Sequence, residues 1–120
     1  MSLNESGEMY LETIYILCKS KNAVRSIDIA EYMNYSKPSI SRGVGLLKKQ
    51  GHINVDDDGY ITLTETGKEI ADRIFERHVV IADVLKKLGV DEKTATEDAC
   101  RIEHVISQKS FDAIKKHINK

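Results

Sequence analysis

Residues 26–63 read SIDIAEYMNYSKPSISRGVGLLKKQGHINVDDDGYITL, and this stretch decides the fold. Ser26–Met33 carries an apolar stripe of Ile27, Ala30 and Met33, which predicts a short helix with Ser26 as its N-cap. Asn34, Tyr35 and Ser36 form a polar break. Ser36 then suits the N-cap and Pro38 the first turn of a second helix, whose inward stripe is Ile40, Val44 and Leu47. Gly51 stops that helix. His52–Val55 and Tyr60–Leu63 alternate polar and apolar residues around Asp58-Gly59, a hairpin-turn signal because glycine accepts positive φ. Helix, turn, helix and two-stranded hairpin in this order predict a winged helix-turn-helix.

Working outward, residues from about Glu5 to Lys19 predict a preceding helix, with Leu11, Ile14, Tyr15 and Cys18 on one face. On the other side, Thr66-Gly67-Lys68-Glu69 fits a capping box, with Thr64 as a rival cap. The helix it opens runs to about Leu88. Its stripe of Ile70, Ile74, Ile81, Leu85 and Leu88 is interrupted by His78, and Gly89 ends it. Asp91 caps a helix reaching about Ile106, and Ser107 caps a last one that buries Phe111, Ile114 and Ile118. The expected fold is mainly α with a two-stranded wing. A winged helix-turn-helix DNA-binding domain is expected over residues 1–65, and a helical metal-binding and dimerisation domain over 66–120.

The composition is that of an ordinary globular chain: 120 residues, 41% hydrophobic, 31% charged. A formal net charge of −1 gives no global reason to expect nucleic acid, so the case must be local. It is local on the second helix of the motif. Lys37, Arg42, Lys48 and Lys49 fall in a run free of acids, and Ser36, Ser39 and Ser41 stand at or near its N-terminal end. Ser36, Lys37, Pro38, Ser39, Ser41, Arg42 and Lys48 are therefore the expected DNA-binding residues. The acidic tip Asp56–Asp58 would repel phosphate. Gly43 and Gly45 each cost about 1 kcal/mol inside a helix, which suggests close packing on neighbouring helices.

Cys18 and Cys100 make no disulfide framework and suit a reducing compartment. With no basic-then-apolar leader and no apolar run approaching the ~20 residues a membrane span needs, a soluble cytoplasmic protein is expected. No nucleophile–base arrangement, phosphate loop or HExxH motif appears, so no enzyme is expected.

The sharpest chemical signal is Cys100-Arg101-Ile102-Glu103-His104. At about 100° per residue, a thiol, a carboxylate and an imidazole share one arc of a helix, which suits a transition metal. Spacing alone leaves open the alternative of a core cysteine, an exposed glutamate and a hydrogen-bonded histidine. Met9 and Glu12 share a face of the first helix, and His78, as a polar ring in an apolar stripe, needs a partner.

Glu8–Tyr15 resembles the opening of the diphtheria-toxin-repressor family of iron-dependent regulators, and Asp98–Val105 resembles that family's metal-binding helix. Ile27–Leu47, Leu63–Gly67 and Arg77-His78 match in order and spacing. The resemblance implies a homodimeric, metal-dependent repressor of double-stranded, palindromic operators. In the iron-type members the regulatory metal is held at positions aligning with Met9, Cys100, Glu103 and His104. In the manganese-type members the positions are Met9, Glu12, His78, Cys100, Glu103 and His104, with carboxylates at the first and fourth. Thioether and thiolate here favour Fe(II), with Mn(II) the alternative. The family's ancillary site aligns with His78, Ala82 and Thr96, and the last two are poor ligands. The SH3-like domain that many members carry is not expected, as in the shorter manganese-type regulators. A winged-helix repressor sensing an organic ligand, or an oxidant through Cys100, is the rival reading.

Overall fold

A computed structural model describes residues 5–118. Its elements are α1 (Glu5–Ser20), α2 (Ser26–Met33), α3 (Lys37–Lys49), β1 (Ile53–Val55), β2 (Ile61–Leu63), α4 (Glu65–Lys87), α5 (Glu92–Ile102) and α6 (Gln108–Ile118). The chain divides into two compact units, one up to Asp72 and one from Arg73, the division falling inside α4.

In the first unit, α1 packs on α2 and α3, β2 lies against α1, and β1 against α3. Leu11, Ile14, Ile29, Ile40, Leu47, Ile53 and Ile61 are all but fully buried, so the predicted faces of α1 and α3 turn inward. On α2 the structure corrects the expected stripe: Ile29 and Ala30 are buried, whereas Ile27 is exposed and Met33 half-buried, because the helix packs through the side that carries Ile29. α2 opens one residue earlier than expected. Arg25, not Ser26, holds the extended N-cap conformation, and the Asp28 carboxylate accepts the Arg25 N–H at 2.8 Å. Asn34, at φ 58°, turns the chain into α3. Ser36 Oγ accepts the Ser39 N–H at 3.3 Å, and Pro38 sits in the first turn where no donor is required. At the other end Gly51 (φ 82°) lets its own N–H reach Lys48 O at 3.1 Å and the His52 N–H reach Leu47 O at 3.0 Å. This closes α3 with the paired bonds of a Schellman turn.

The wing is antiparallel, pairing Ile53 with Leu63 and Val55 with Ile61. Its tip is braced from within: Asp56 Oδ1 accepts the N–H groups of Asp58 and Tyr60 at 3.0 and 2.9 Å. Arg25 donates to Asp58 O at 2.7 Å and lies over the Tyr60 ring. The rival cap, Thr64, opens α4. Its hydroxyl accepts the Gly67 N–H at 3.2 Å and donates to Gly51 O at 2.7 Å. A Cβ on Gly67 would stand 1.9 Å from His52 O, so only glycine allows this turn to rest on the end of β1.

Of the two unusual α3 glycines, Gly43 is packed: a Cβ there would meet Tyr10 Cε2 at 2.5 Å. Gly45 faces open space, which corrects the expectation of close packing there.

In the second unit Ile81, Ala82, Ala99 and Phe111 form the core, with Val80, Leu85, Ile102 and Ile106 against it. Gly89 (φ 103°) ends α4 by a second Schellman pairing, Val90 N–H to Leu85 O and Gly89 N–H to Lys86 O, both 3.0 Å. Asp91 caps α5 through the Thr94 N–H at 3.0 Å, and Ser107 caps α6 through the Ser110 N–H at 3.1 Å. No helix of the described residues is long and apolar enough to cross a membrane.

Candidate metal centre and nucleic-acid interface

The sequence places Cys100, Glu103 and His104 on one helix extending to about Ile106; the structure ends α5 at Ile102. Glu103 is the C-cap and keeps helical dihedrals, while His104–Ile106 turn away. The reason lies on α4. Arg77 Nη1 donates to Glu103 O at 3.1 Å and to Ile106 O at 2.8 Å, and its Nη2 donates to Gln108 Oε1 at 2.9 Å. These bonds satisfy carbonyls that a helix would otherwise pair internally. Arg77 also lies over the Phe111 ring. Sequence reasoning matched Arg77 by resemblance only; an arginine beside His78 was the one available signal.

The turn fixes the Glu103 carboxylate inside the unit, fully buried. Oε2 lies 3.4 Å from His78 Nδ1, and Oε1 lies 3.4 Å from His104 Nε2. Neither oxygen accepts a hydrogen bond from a described residue. A buried carboxylate without donors is costly unless a cation compensates it. One carboxylate and two imidazoles, each oxygen facing a nitrogen, are a fitting donor set for a divalent transition metal.

Cys100 stands on α5 as a free, half-buried thiol and makes no hydrogen bond or ion pair with Glu103, His78 or His104 among the described residues. Met9 and Glu12 belong to α1 of the first unit. Met9 is half-buried and its carbonyl accepts the Thr13 hydroxyl at 2.9 Å; Glu12 is buried. The other cysteine, Cys18, donates to Ile61 O at 3.8 Å, and burial pushes its thiol pKa up, which suits a core residue rather than a ligand. His78, Ala82 and Thr96 line one cavity of about 370 Å³ with Asp83 and Lys86, but Ala82 and Thr96 bring no strong metal donor to it.

On α3, Lys37, Pro38, Ser41, Arg42 and Lys48 are exposed, and Ser39 is half-buried. Lys37, Arg42 and Lys48 form no ion pair with any described residue, and the first turn carries no acid. Their charge is thus available to a polyanion. Ser36, also exposed, spends its oxygen on the cap and donates to Ser39 Oγ at 3.0 Å.

Two family models cover nearly the whole chain. The iron-dependent repressor N-terminal DNA-binding domain matches residues 2–61, and the iron-dependent repressor metal-binding and dimerisation domain matches residues 64–120. The chain belongs to the iron-dependent repressor family.

This iron-dependent repressor family member is 35% identical over 115 residues to the HTH-type transcriptional regulator MJ0568 of Methanocaldococcus jannaschii, covering 94% of this chain and 92% of that one. It is 35% identical over 109 residues to the HTH-type transcriptional regulator MntR of Bacillus subtilis (strain 168), covering 91% and 77%. Among solved structures, that of the manganese regulator SloR matches with a TM-score of 0.82 at 27% identity, covering 99% of this chain and 55% of that one. The chain thus spans little more than half the length of SloR.

As a member of this family the chain is a metal-dependent transcriptional regulator, with a DNA-binding and a dimerisation domain, and family members are regulators rather than enzymes. The rival of a winged-helix repressor for an organic ligand or oxidant is not favoured. Iron and manganese both fit the family.

Proposed function

We propose that the chain is an Fe(II)-responsive repressor of metal-homeostasis genes, binding a palindromic double-stranded operator as a cytoplasmic homodimer. The observation that carries the metal reading is Glu103, whose two buried oxygens lack described hydrogen-bond donors and each face an imidazole nitrogen at 3.4 Å. A divalent ion, when bound, supplies the positive charge that this carboxylate requires. The assigned ligands are Met9 and Glu12 from α1, His78 from α4, and Cys100, Glu103 and His104 from α5 and its terminal turn. Residues 1–65 are assigned to DNA binding, and 66–120 to metal binding and dimerisation.

On α3, Lys37, Arg42 and Lys48 would grip phosphate or read guanine. Ser36, Pro38, Ser39 and Ser41 would shape the N-terminal approach to base edges. Two-fold operators set half-sites about 34 Å apart, so the dimer must present two α3 helices at that spacing. Ligands drawn from α1 and from α4–α5 favour, when engaged together, one arrangement out of an ensemble, and DNA selects the same one.

The preference for iron rests on the thioether of Met9 and the thiol of Cys100, soft donors that suit Fe(II) better than Mn(II). Manganese is the second reading. It is favoured by the harder set of Glu103, His78 and His104, with Cys100 outside their contacts, and by the likeness to a manganese regulator.

The test is operator affinity, titrated anaerobically with Fe(II), Mn(II) and Zn(II) against a chelator control. Tighter binding at lower Fe(II) than Mn(II) supports the iron reading. Equal or better Mn(II) moves the function to manganese. No effect of any metal rejects this switch.

A further inference from the structure

Tyr10 belongs to α1, between the assigned ligands Met9 and Glu12, yet its ring lies against α3. A Cβ built on Gly43 would stand 2.5 Å from Tyr10 Cε2, 2.7 Å from Cδ2 and 3.0 Å from Cζ, so the ring rests on bare backbone in the middle of the helix. The same ring meets Tyr35 edge-on, with centroids 6.1 Å apart and planes at 88°. Tyr35 precedes Ser36, the N-cap of α3. One side chain of α1 therefore touches α3 at its midpoint and at the turn that leads into it.

The contact is one of shape. Among the described residues the Tyr10 hydroxyl takes no hydrogen-bond partner, so the ring face and edge carry the interaction. Gly43 is a poor helix residue on propensity alone, and it stands in a helix whose other interior glycine, Gly45, meets open space. A close-packed contact of this kind couples the two helices, because the half-buried ring loses its contact with the Gly43 backbone and with Tyr35 when it shifts. α1 is one continuous helix from Glu5 to Ser20, so Met9, Tyr10 and Glu12 move together.

We infer that Tyr10, seated on Gly43 and Tyr35, is the positioning residue that sets α3 on α1, so that whatever fixes α1 fixes the DNA-reading helix. The metal arm of this inference rests on the proposed ligand roles of Met9 and Glu12; the seating of α3 does not.

The test compares Tyr10→Phe, Tyr10→Leu and Gly43→Ala with the parent chain. Mn(II) is the metal probe, and three quantities are read: Mn(II) affinity without DNA, operator affinity with and without Mn(II), and amide exchange of residues 37–49 in metal-free protein. Tyr10→Phe keeps every parent value. Tyr10→Leu and Gly43→Ala keep the Mn(II) affinity but reduce the metal-dependent gain in operator affinity by about fivefold or more, a coupling of ordinary size. They also speed exchange in 37–49 more than in 53–63. An unchanged gain and unchanged α3 exchange in both variants overturn the inference. If the parent chain shows no gain with metal, the function proposed above fails, and the exchange comparison still decides whether Tyr10 seats α3.

Discussion

Arg77 donates to the backbone carbonyl of Glu103 at 3.1 Å across 26 residues of sequence, and the same guanidinium nitrogen takes Ile106 O at 2.8 Å. The charge of Arg77 is spent on holding a turn, and that turn holds the Glu103 carboxylate between His78 and His104.

Arg77→Ala should therefore weaken metal binding without touching a ligand. Loss of an orienting partner of this kind costs about 10- to 100-fold in metal affinity. Isothermal titration of Mn(II) and Fe(II) into the variant checks it. Arg77→Lys should recover little, because a single ammonium cannot reproduce the planar fork that reaches two carbonyls and Gln108 together.

Glu103→Gln should separate stability from sensing. The buried carboxylate has no described hydrogen-bond donor, so removing its charge should leave the thermal midpoint of the metal-free protein unchanged or raised. Metal should then no longer raise that midpoint or tighten operator binding. Calorimetry with and without Mn(II), beside an operator titration, reads both outcomes.

Two glycines should respond to alanine in opposite directions. Gly45→Ala adds a methyl in open space within α3 and should stabilise by about 1 kcal/mol. Gly67→Ala would place a Cβ 1.9 Å from His52 O and should destabilise by about 1–3 kcal/mol, as overpacking does. Urea midpoints of the two variants decide it.

Arg42→Ala and Lys48→Ala should each weaken DNA binding on all sequences if they contact phosphate. Each should then lower the slope of log affinity against log salt by about one. A residue reading a base instead costs affinity at one operator position and leaves the others unchanged.

The Asp91 carboxyl lies below its ordinary range because the backbone N–H of Thr94 donates to it, with the Thr94 hydroxyl adding to the effect. A depressed folded value means that stability is present above the ordinary carboxylate pKa and lost as pH falls through the folded one. The N-terminus of α5 should therefore begin to loosen below about pH 4. Asp91→Asn keeps a capping oxygen without a titrating group and should flatten that acid dependence. Amide exchange of residues 94–98 at pH 6 and pH 3 measures it.

What the sequence determined by itself was local. The stripes of α1 and α3, the α4 stripe up to Leu85, the Ser36 cap, the stops at Gly51 and Gly89 and the Asp58-Gly59 hairpin were legible because each depends on neighbours within a turn of chain. The buried face of the short α2 was not, and it holds Ile29 where the spacing pointed to Ile27. The metal-type donors were legible as residue types at helical spacing. The tertiary structure decided what periodicity does not encode. Helix α5 stops at Ile102 because Arg77 captures carbonyls beyond it. Gly67 exists for the His52 carbonyl just ahead of β1, and Gly43, unlike Gly45, exists for a ring on α1. His78 faces Glu103 because α4 and α5 pack in one core. Each is a contact between residues far apart in sequence, and only the packing of side chains brings such residues within reach.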